Sequence, residues 1–301
     1  MLQIRHQIVQ VGIRERIAVE PRHLRLRPVR RFASANLGLP DNRSYTYFVQ
    51  LDRPWVAWNV FATPELSIAP VTHCFPVAGC VAYRGYFRRD LADREAARLK
   101  TAGDDVALGE VPAYSTLGWF ADPIISSMLY WDDDTLAGTI FHELAHQKFY
   151  VKDDSSFNES YASFVEEEGV REWRVARGLP PADSVGDQLE RSFTGRVLAL
   201  RDRLGGIYGG EGSDDAKRVA KAEAFEAFRG DYLQWRHTVA RGDRRYDRWM
   251  ARPLNNAAVL PFGIYDVWKP SFAALFEQSV TGKCFFSGGC SRKQGSAGAI
   301  S

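Results

Sequence analysis

Between Thr139 and Gly169 the chain reads TIFHELAHQKFYVKDDSSFNESYASFVEEEG, and the residues best suited to chemistry lie here. His142, Glu143 and His146 form H-E-x-x-H. On a helix, residues four apart sit one turn above each other, so both imidazoles can reach a single metal ion. Glu143 projects beside the position left open, where a carboxylate can take a proton from water. Downstream, Asn158-Glu159-Ser160-Tyr161-Ala162 reads N-E-x-x-A, and Glu159 is the candidate third ligand. Two histidines and one glutamate leave a fourth position open, the donor set of a catalytic site with one Zn2+ per chain. Glu166, two turns past Glu159, is a candidate for holding a ligand histidine from behind; the plainer reading is a solvated acid.

Such ligands need elements that fix them. Asp132, Asp133, Asp134 and Thr135 offer caps and negative charge for a helix start. Leu136, Ile140, Phe141, Leu144 and Ala145 then recur at helical spacing and would bury that helix. Val151 to Ser156 is polar and turn-like, and Tyr161 to Trp173 reads as a second helix with Phe164, Val165 and Val170 apolar. Two antiparallel helices joined by a short loop would bring Glu159 back opposite the histidines.

Ahead of this pair, the pattern predicts a short helix over Phe32 to Leu39. Strands follow over Tyr45 to Leu51, Trp55 to Phe61 and Val77 to Phe87, bounded by Pro54 and Pro64. A helix over Leu91 to Gly103 and a strand over Asp105 to Ala113 complete this part. Beyond the pair, Asp187 to Leu204 and Asp214 to Arg241 read as amphipathic helices. Gly205 to Gly212 reads as a glycine-rich connector; it lacks the G-K-[ST] of a phosphate loop. The fold class is α+β, with a small sheet before the H-E-x-x-H helix and a largely helical second half.

The stretch FHELAHQKFYVKDDSSFNESYASFVEEEGV resembles the core of a bacterial family of predicted aminopeptidases, zinc peptidases with a glutamate third ligand. RFASANLGLPDNRSY, CFPVAGCVAYRGYF and AYSTLGWFADPI resemble it too, so the likeness runs from about Arg31 to about Phe276. It implies a zincin-type metallopeptidase that hydrolyses peptides with metal-activated water. By analogy with zinc peptidases of this type, the strand before the metal helix forms a substrate edge, lined by Tyr114, Gly118 and Trp119. Asn255 or Asn256 is the candidate for binding substrate backbone, and Tyr265 the candidate for steadying the oxyanion. Glu110 and Asp122 are candidates for holding a free α-amine, which an aminopeptidase requires. A zinc endopeptidase and a non-catalytic zinc-binding scaffold are the alternative readings.

The 301 residues, 45% of them hydrophobic, are enough for a substantial core. A formal charge of +2 argues against nucleic acid as the main partner. No apolar run reaches the roughly 18 residues of a membrane span. Eight arginines against two glutamates mark residues 1–31 as a basic arm. A metallopeptidase domain over 32–282 follows, with a sheet-rich lobe (32–130), a helical lobe (131–282) and a Gly/Ser-rich tail (283–301). Oligomeric state is not legible.

Cys74/Cys80 and Cys284/Cys290 are each spaced C-x5-C, unlike a zinc ribbon or redox C-x-x-C. They form local disulfides if the protein is exported and stay small thiols in a reducing compartment. Members of the resembled family start with a lipoprotein-type signal, implying a periplasmic or membrane-anchored protein. Here MLQIRHQIVQVGIRERI has charges breaking every apolar run. Either the protein is cytoplasmic or its true start lies upstream.

Overall fold

A computed structural model describes residues 26–75, 79–113, 116–182, 184–263 and 268–278. Its first helix, α1 (Leu26–Ala35), begins before Phe32 and takes up the end of the basic arm. Val29, Phe32 and Ala33 bury one face of it. Arg30 is buried as well, because its guanidinium finds carbonyls to donate to: Nε reaches Ser44 O at 2.9 Å and Nη2 reaches Pro40 O at 2.7 Å. A charge so satisfied can be withdrawn from water.

Between Tyr45 and Leu51 only Phe48–Val49 (β1) is extended, pairing in parallel with Ile124–Ile125 (β7). The main sheet has three antiparallel strands in the order β5-β2-β6: Tyr83–Tyr86, Ala57–Pro64 and Asp104–Val111. Phe61 pairs with Tyr83 on one side of β2, and Ala62 with Val106 on the other. Successive β2 side chains face opposite ways. Trp58, Val60 and Ala62 pack with Ala92, Ala96 and Leu99 of α2 (Arg89–Thr101), while Phe61 packs with Ala257 and Leu260.

The stretch Val77 to Phe87, read as one strand, is two. Gly79–Val81 (β4) turns back on His73–Phe75 (β3), and Cys74 and Cys80 face each other across this hairpin in a disulfide. Cys284 and Cys290 lie outside the described residues.

The centre of the molecule is α3 (Asp133–Lys148) against α4 (Ser155–Ala176). Asp132 caps α3, accepting from the backbone N–H of Asp134 and Thr135 at 3.0 and 2.9 Å. Arg174 pairs with Asp134 at one end and His146 faces Glu159 at the other, so the helices run antiparallel. Two glycines set their close approach. A Cβ on Gly169 would meet Phe141 Cδ2 and Leu37 Cδ1 at 2.8 Å each, and one on Gly138 would meet Glu166 Cγ at 3.1 Å. Leu136, Ile140, Phe141, Leu144, Ala162 and Val165 close the main core with α1 and β7.

A second core joins α5 (Ser184–Gly209) and α6 (Asp214–Thr238). Phe193, Phe228, Tyr232 and Trp235 fill it, with Tyr246 stacked on Phe193 at 3.7 Å. Helix α5 runs through Gly205 and Gly206 instead of ending at a glycine-rich connector. Leu204, Ile207 and Tyr208 pack into the core there, and Gly205 leaves room for Ile68 Cδ1, 3.3 Å from where its Cβ would stand. Val219 sits on the solvent side of α6, not in its core.

The short helix α7 (Asp247–Met250) closes the second core through Trp249 and Met250, α8 (Asn256–Val259) packs on β2 and β6, and α9 (Lys269–Gln278) lies on the back of α4. There Phe272 meets Phe157, Tyr161 and Phe164. No helix among the described residues is long and apolar enough to cross a membrane.

Candidate metal centre

His142 and His146 stand one turn apart on α3, and Glu159 stands opposite them near the start of α4. Helix α4 begins at Ser155, earlier than Tyr161, so Glu159 belongs to a helix and not to a loop. Asp154 caps that helix, accepting from Phe157 N at 2.9 Å. Asn158, buried beside the ligand, grips the preceding loop: Val151 N donates to its Oδ1 at 2.7 Å and its Nδ2 donates to Val151 O at 2.6 Å. Burial of α3 on both sides fixes the histidines, and the capped, clamped start of α4 fixes the carboxylate.

The three candidate ligand atoms form a small triangle. His142 Nε2 lies 3.2 Å from His146 Nε2, and Glu159 Oε2 lies 3.4 and 3.6 Å from the two nitrogens. Tetrahedral zinc with bonds of about 2.0–2.1 Å separates its ligand atoms by about 3.3–3.4 Å, so this donor set fits zinc in both chemistry and size. Their side chains are only 9 to 13% exposed. Among the described residues this is the cluster of three that could hold a metal ion.

Glu166 lies behind His142, with Oε2 3.0 Å from Nδ1. It thereby turns Nε2 toward Glu159 and His146. The Nδ1 of His146 is buried with no such partner.

In the metal-free protein the charges are tightly coupled. Burial disfavours the His142 imidazolium, yet Glu159 and Glu166 outweigh it and hold its pKa well above the ordinary imidazole value. Burial likewise opposes ionisation of Glu159, but His146 and His142 hold its carboxyl well below the usual range. For Glu143 burial wins: with Glu159 and Asp122 adding to it, the carboxyl is pushed up despite the two histidines.

Glu143 and Gln147 follow the ligands one step round the helix, on a shared face. The loop from Thr116 to Asp122 docks on that face. Gln147 Nε2 donates to Asp122 Oδ2 at 2.9 Å, and Thr116 N donates to the same oxygen at 3.0 Å. Gly118, at φ +79°, turns this loop against Gln147, whose Cβ would lie 3.8 Å from a Cβ at that position. Trp119 and Phe120 follow it, both exposed.

A family model described as "Putative aminopeptidase" matches residues 9–290. The chain belongs to that family. No curated protein and no solved structure gave a match.

The family resemblance singled out further positions. Tyr114 and Tyr265 lie outside the described residues. Asn256 is wholly buried: its Nδ2 donates to Glu65 O and Ser67 O at 2.9 Å each, and its Oδ1 accepts from Tyr208 at 2.7 Å. Both amide hydrogens are spent tying α8 to the chain after β2, so substrate backbone would find no donor there. Asn255 caps α8 and donates to Val106 O at 3.0 Å, covering the start of β6. That strand is therefore not an open substrate edge along its length. Glu110 is held by Arg252 at 2.7 Å, and Asp122 is buried, which leaves neither carboxylate open to a substrate amine.

One tyrosine that the sequence did not mark, Tyr83, lies within electrostatic reach of the candidate centre. Tyr83 opens β5 at the opposite edge of the sheet from β6 and packs on Phe61, ring centres 5.4 Å apart. Burial, then the charges of Glu159, Tyr150 and Glu143, keep its phenol protonated far above the ordinary tyrosine pKa. No local pattern distinguishes Tyr83 from the other tyrosines; only the pairing of β5 with β2 brings it here.

Proposed function

We propose that the protein is a zinc-dependent peptidase of zincin type, acting on the N-terminal residue of peptides. One observation carries this reading: the triangle of His142, His146 and Glu159, sized for a tetrahedral ion, with Glu143 beside it on the same helix. A zinc ion held there would supply a Lewis acid that polarises a carbonyl and makes water acidic near neutral pH.

The chain's own residues supply the rest. Glu143 takes the proton from the attacking water and hands it to the leaving amine. Glu166 holds the tautomer and orientation of His142 through Nδ1. Tyr83, whose phenol burial and the charges of Glu159 and Glu143 keep protonated, has an O–H to offer to oxyanion charge. The family's aminopeptidase description supports cleavage at the N-terminus.

The test is zinc content and hydrolysis measured together. Wild type should bind about one zinc per chain and hydrolyse aminoacyl reporter amides, and Glu143→Gln should keep the metal and lose the activity. Hydrolysis confined to internally quenched peptides with blocked ends would replace the aminopeptidase reading with an endopeptidase one. Wild type that takes up no zinc would remove the metallopeptidase reading.

A further inference from the structure

The hairpin β3–β4 is a poor candidate for an independent element, since it is only three residues a side. Its disulfide closes it, and one of its ends is pressed on the loop between the metal helices. Cys80 N donates to Asp153 Oδ1 at 2.6 Å. Gly79, at φ +76°, sits so close that a Cβ there would lie 2.7 Å from Asp153 N. Asp153 itself has φ +69°, a conformation that non-glycine residues adopt rarely and asparagine and aspartate more readily. From Asp153 the chain passes directly to Asp154, the cap of α4, then to Asn158, which clamps Val151, and then to Glu159.

We infer that the disulfide-closed hairpin, acting through Asp153, is a positioning element for the third metal ligand, and that zinc retention depends on it. This rests on the zinc reading of the site above. The physical basis is a short rigid path. Helix α4 starts where its cap and the Val151–Asn158 clamp fix it, and both belong to the loop that Asp153 anchors. Without the anchor the first turn of α4 is free to fray, because helix ends open most easily. Glu159 lies just past that turn, whereas His142 and His146, the latter buried in the last turn of α3, are carried by the other helix. Loss of the anchor should therefore speed the escape of metal while leaving the histidines in place.

The experiment is the rate at which the zinc-loaded full chain gives up its metal to an excess of a chromogenic chelator. Asp153→Gly keeps the backbone conformation at ease and removes the acceptor. Asp153→Asn keeps both the conformation and a side-chain carbonyl that can accept from Cys80 N. The inference expects zinc release from Asp153→Gly to be faster by about tenfold or more, and from Asp153→Asn to match wild type. Cys74→Ser combined with Cys80→Ser should resemble Asp153→Gly, with folding of each variant checked by circular dichroism. Folded Asp153→Gly that releases zinc at the wild-type rate overturns the inference and leaves the metal site standing. Equal acceleration by Asp153→Asn also overturns it, since disturbance without loss of the acceptor would then suffice. A wild type that binds no zinc overturns the metal reading and this one with it.

Discussion

Glu166 Oε2 lies 3.0 Å from His142 Nδ1, and it reaches there by passing over Gly138, one turn before His142 on the facing helix. A carboxylate behind an imidazole fixes which ring nitrogen faces forward and raises its basicity. Glu166→Ala should therefore weaken zinc binding by about 10- to 100-fold, with activity returning when zinc is supplied in excess. Competition with a chelator of known affinity measures the first effect. An unchanged affinity would show that Glu166 is a solvated acid that happens to lie nearby.

The same pair makes metal binding depend on pH. In the metal-free protein Glu159 and Glu166 hold His142 protonated well above the ordinary imidazole range. A ligand must be neutral, so zinc has to displace that proton. With the pKa raised, the competing proton persists to higher pH, and zinc affinity should go on climbing, by about tenfold per unit, above the ordinary imidazole value instead of levelling off there. Calorimetry in buffers of different ionisation enthalpy counts the proton released. In Glu166→Gln, where one of the two carboxylates is gone, the rise should level off at lower pH.

Close packing of the two helices gives a prediction about stability alone. Gly169 faces Phe141 and Leu37, and a Cβ there would lie 2.8 Å from a carbon of each. Both are fully buried and have nowhere to go. Gly169→Ala should destabilise the fold by about 1–3 kcal/mol despite alanine's better helix propensity. Urea unfolding of metal-free protein is the appropriate measurement. Gly195, with open space around it on α5, is the control where alanine should do no such harm.

The candidate ligands come together in the structure as their local geometry suggested. His142, Glu143 and His146 need only a helix, and the apolar spacing of Leu136, Ile140, Phe141 and Leu144 announces one. Glu159 needed one further step, an antiparallel return across a short polar turn. What the sequence did not disclose was set by pairings distant along the chain. Tyr83 comes within reach of the charges of Glu159 and Glu143 because β5 pairs with β2, and Asn256 is buried because α8 docks on β6; neither is written into neighbouring residues. Gly205 and Gly206 read as a connector for the same reason. Glycine is costly within a helix, and at Gly205 the compensation is the close approach of Ile68 from far upstream.

Tyr83 supplies a prediction that separates placement from resemblance. The family pattern directs attention to Tyr265 as the group that steadies the oxyanion, whereas burial and the charges of Glu159, Tyr150 and Glu143 set Tyr83 apart. Removing one donor to a developing oxyanion costs about 100- to 1000-fold in kcat where the donor acts in the reaction. Tyr83→Phe keeps the ring that packs on Phe61 and removes only the hydroxyl. It should lower kcat by that order, leave zinc content unchanged and alter KM little, since the bond forms with the transition state more than with the substrate. Tyr265→Phe, assayed beside it, should then have the smaller effect. A kcat for Tyr83→Phe within a factor of about two of wild type would reduce Tyr83 to packing on Phe61, and a large loss in Tyr265→Phe would return the role to that residue.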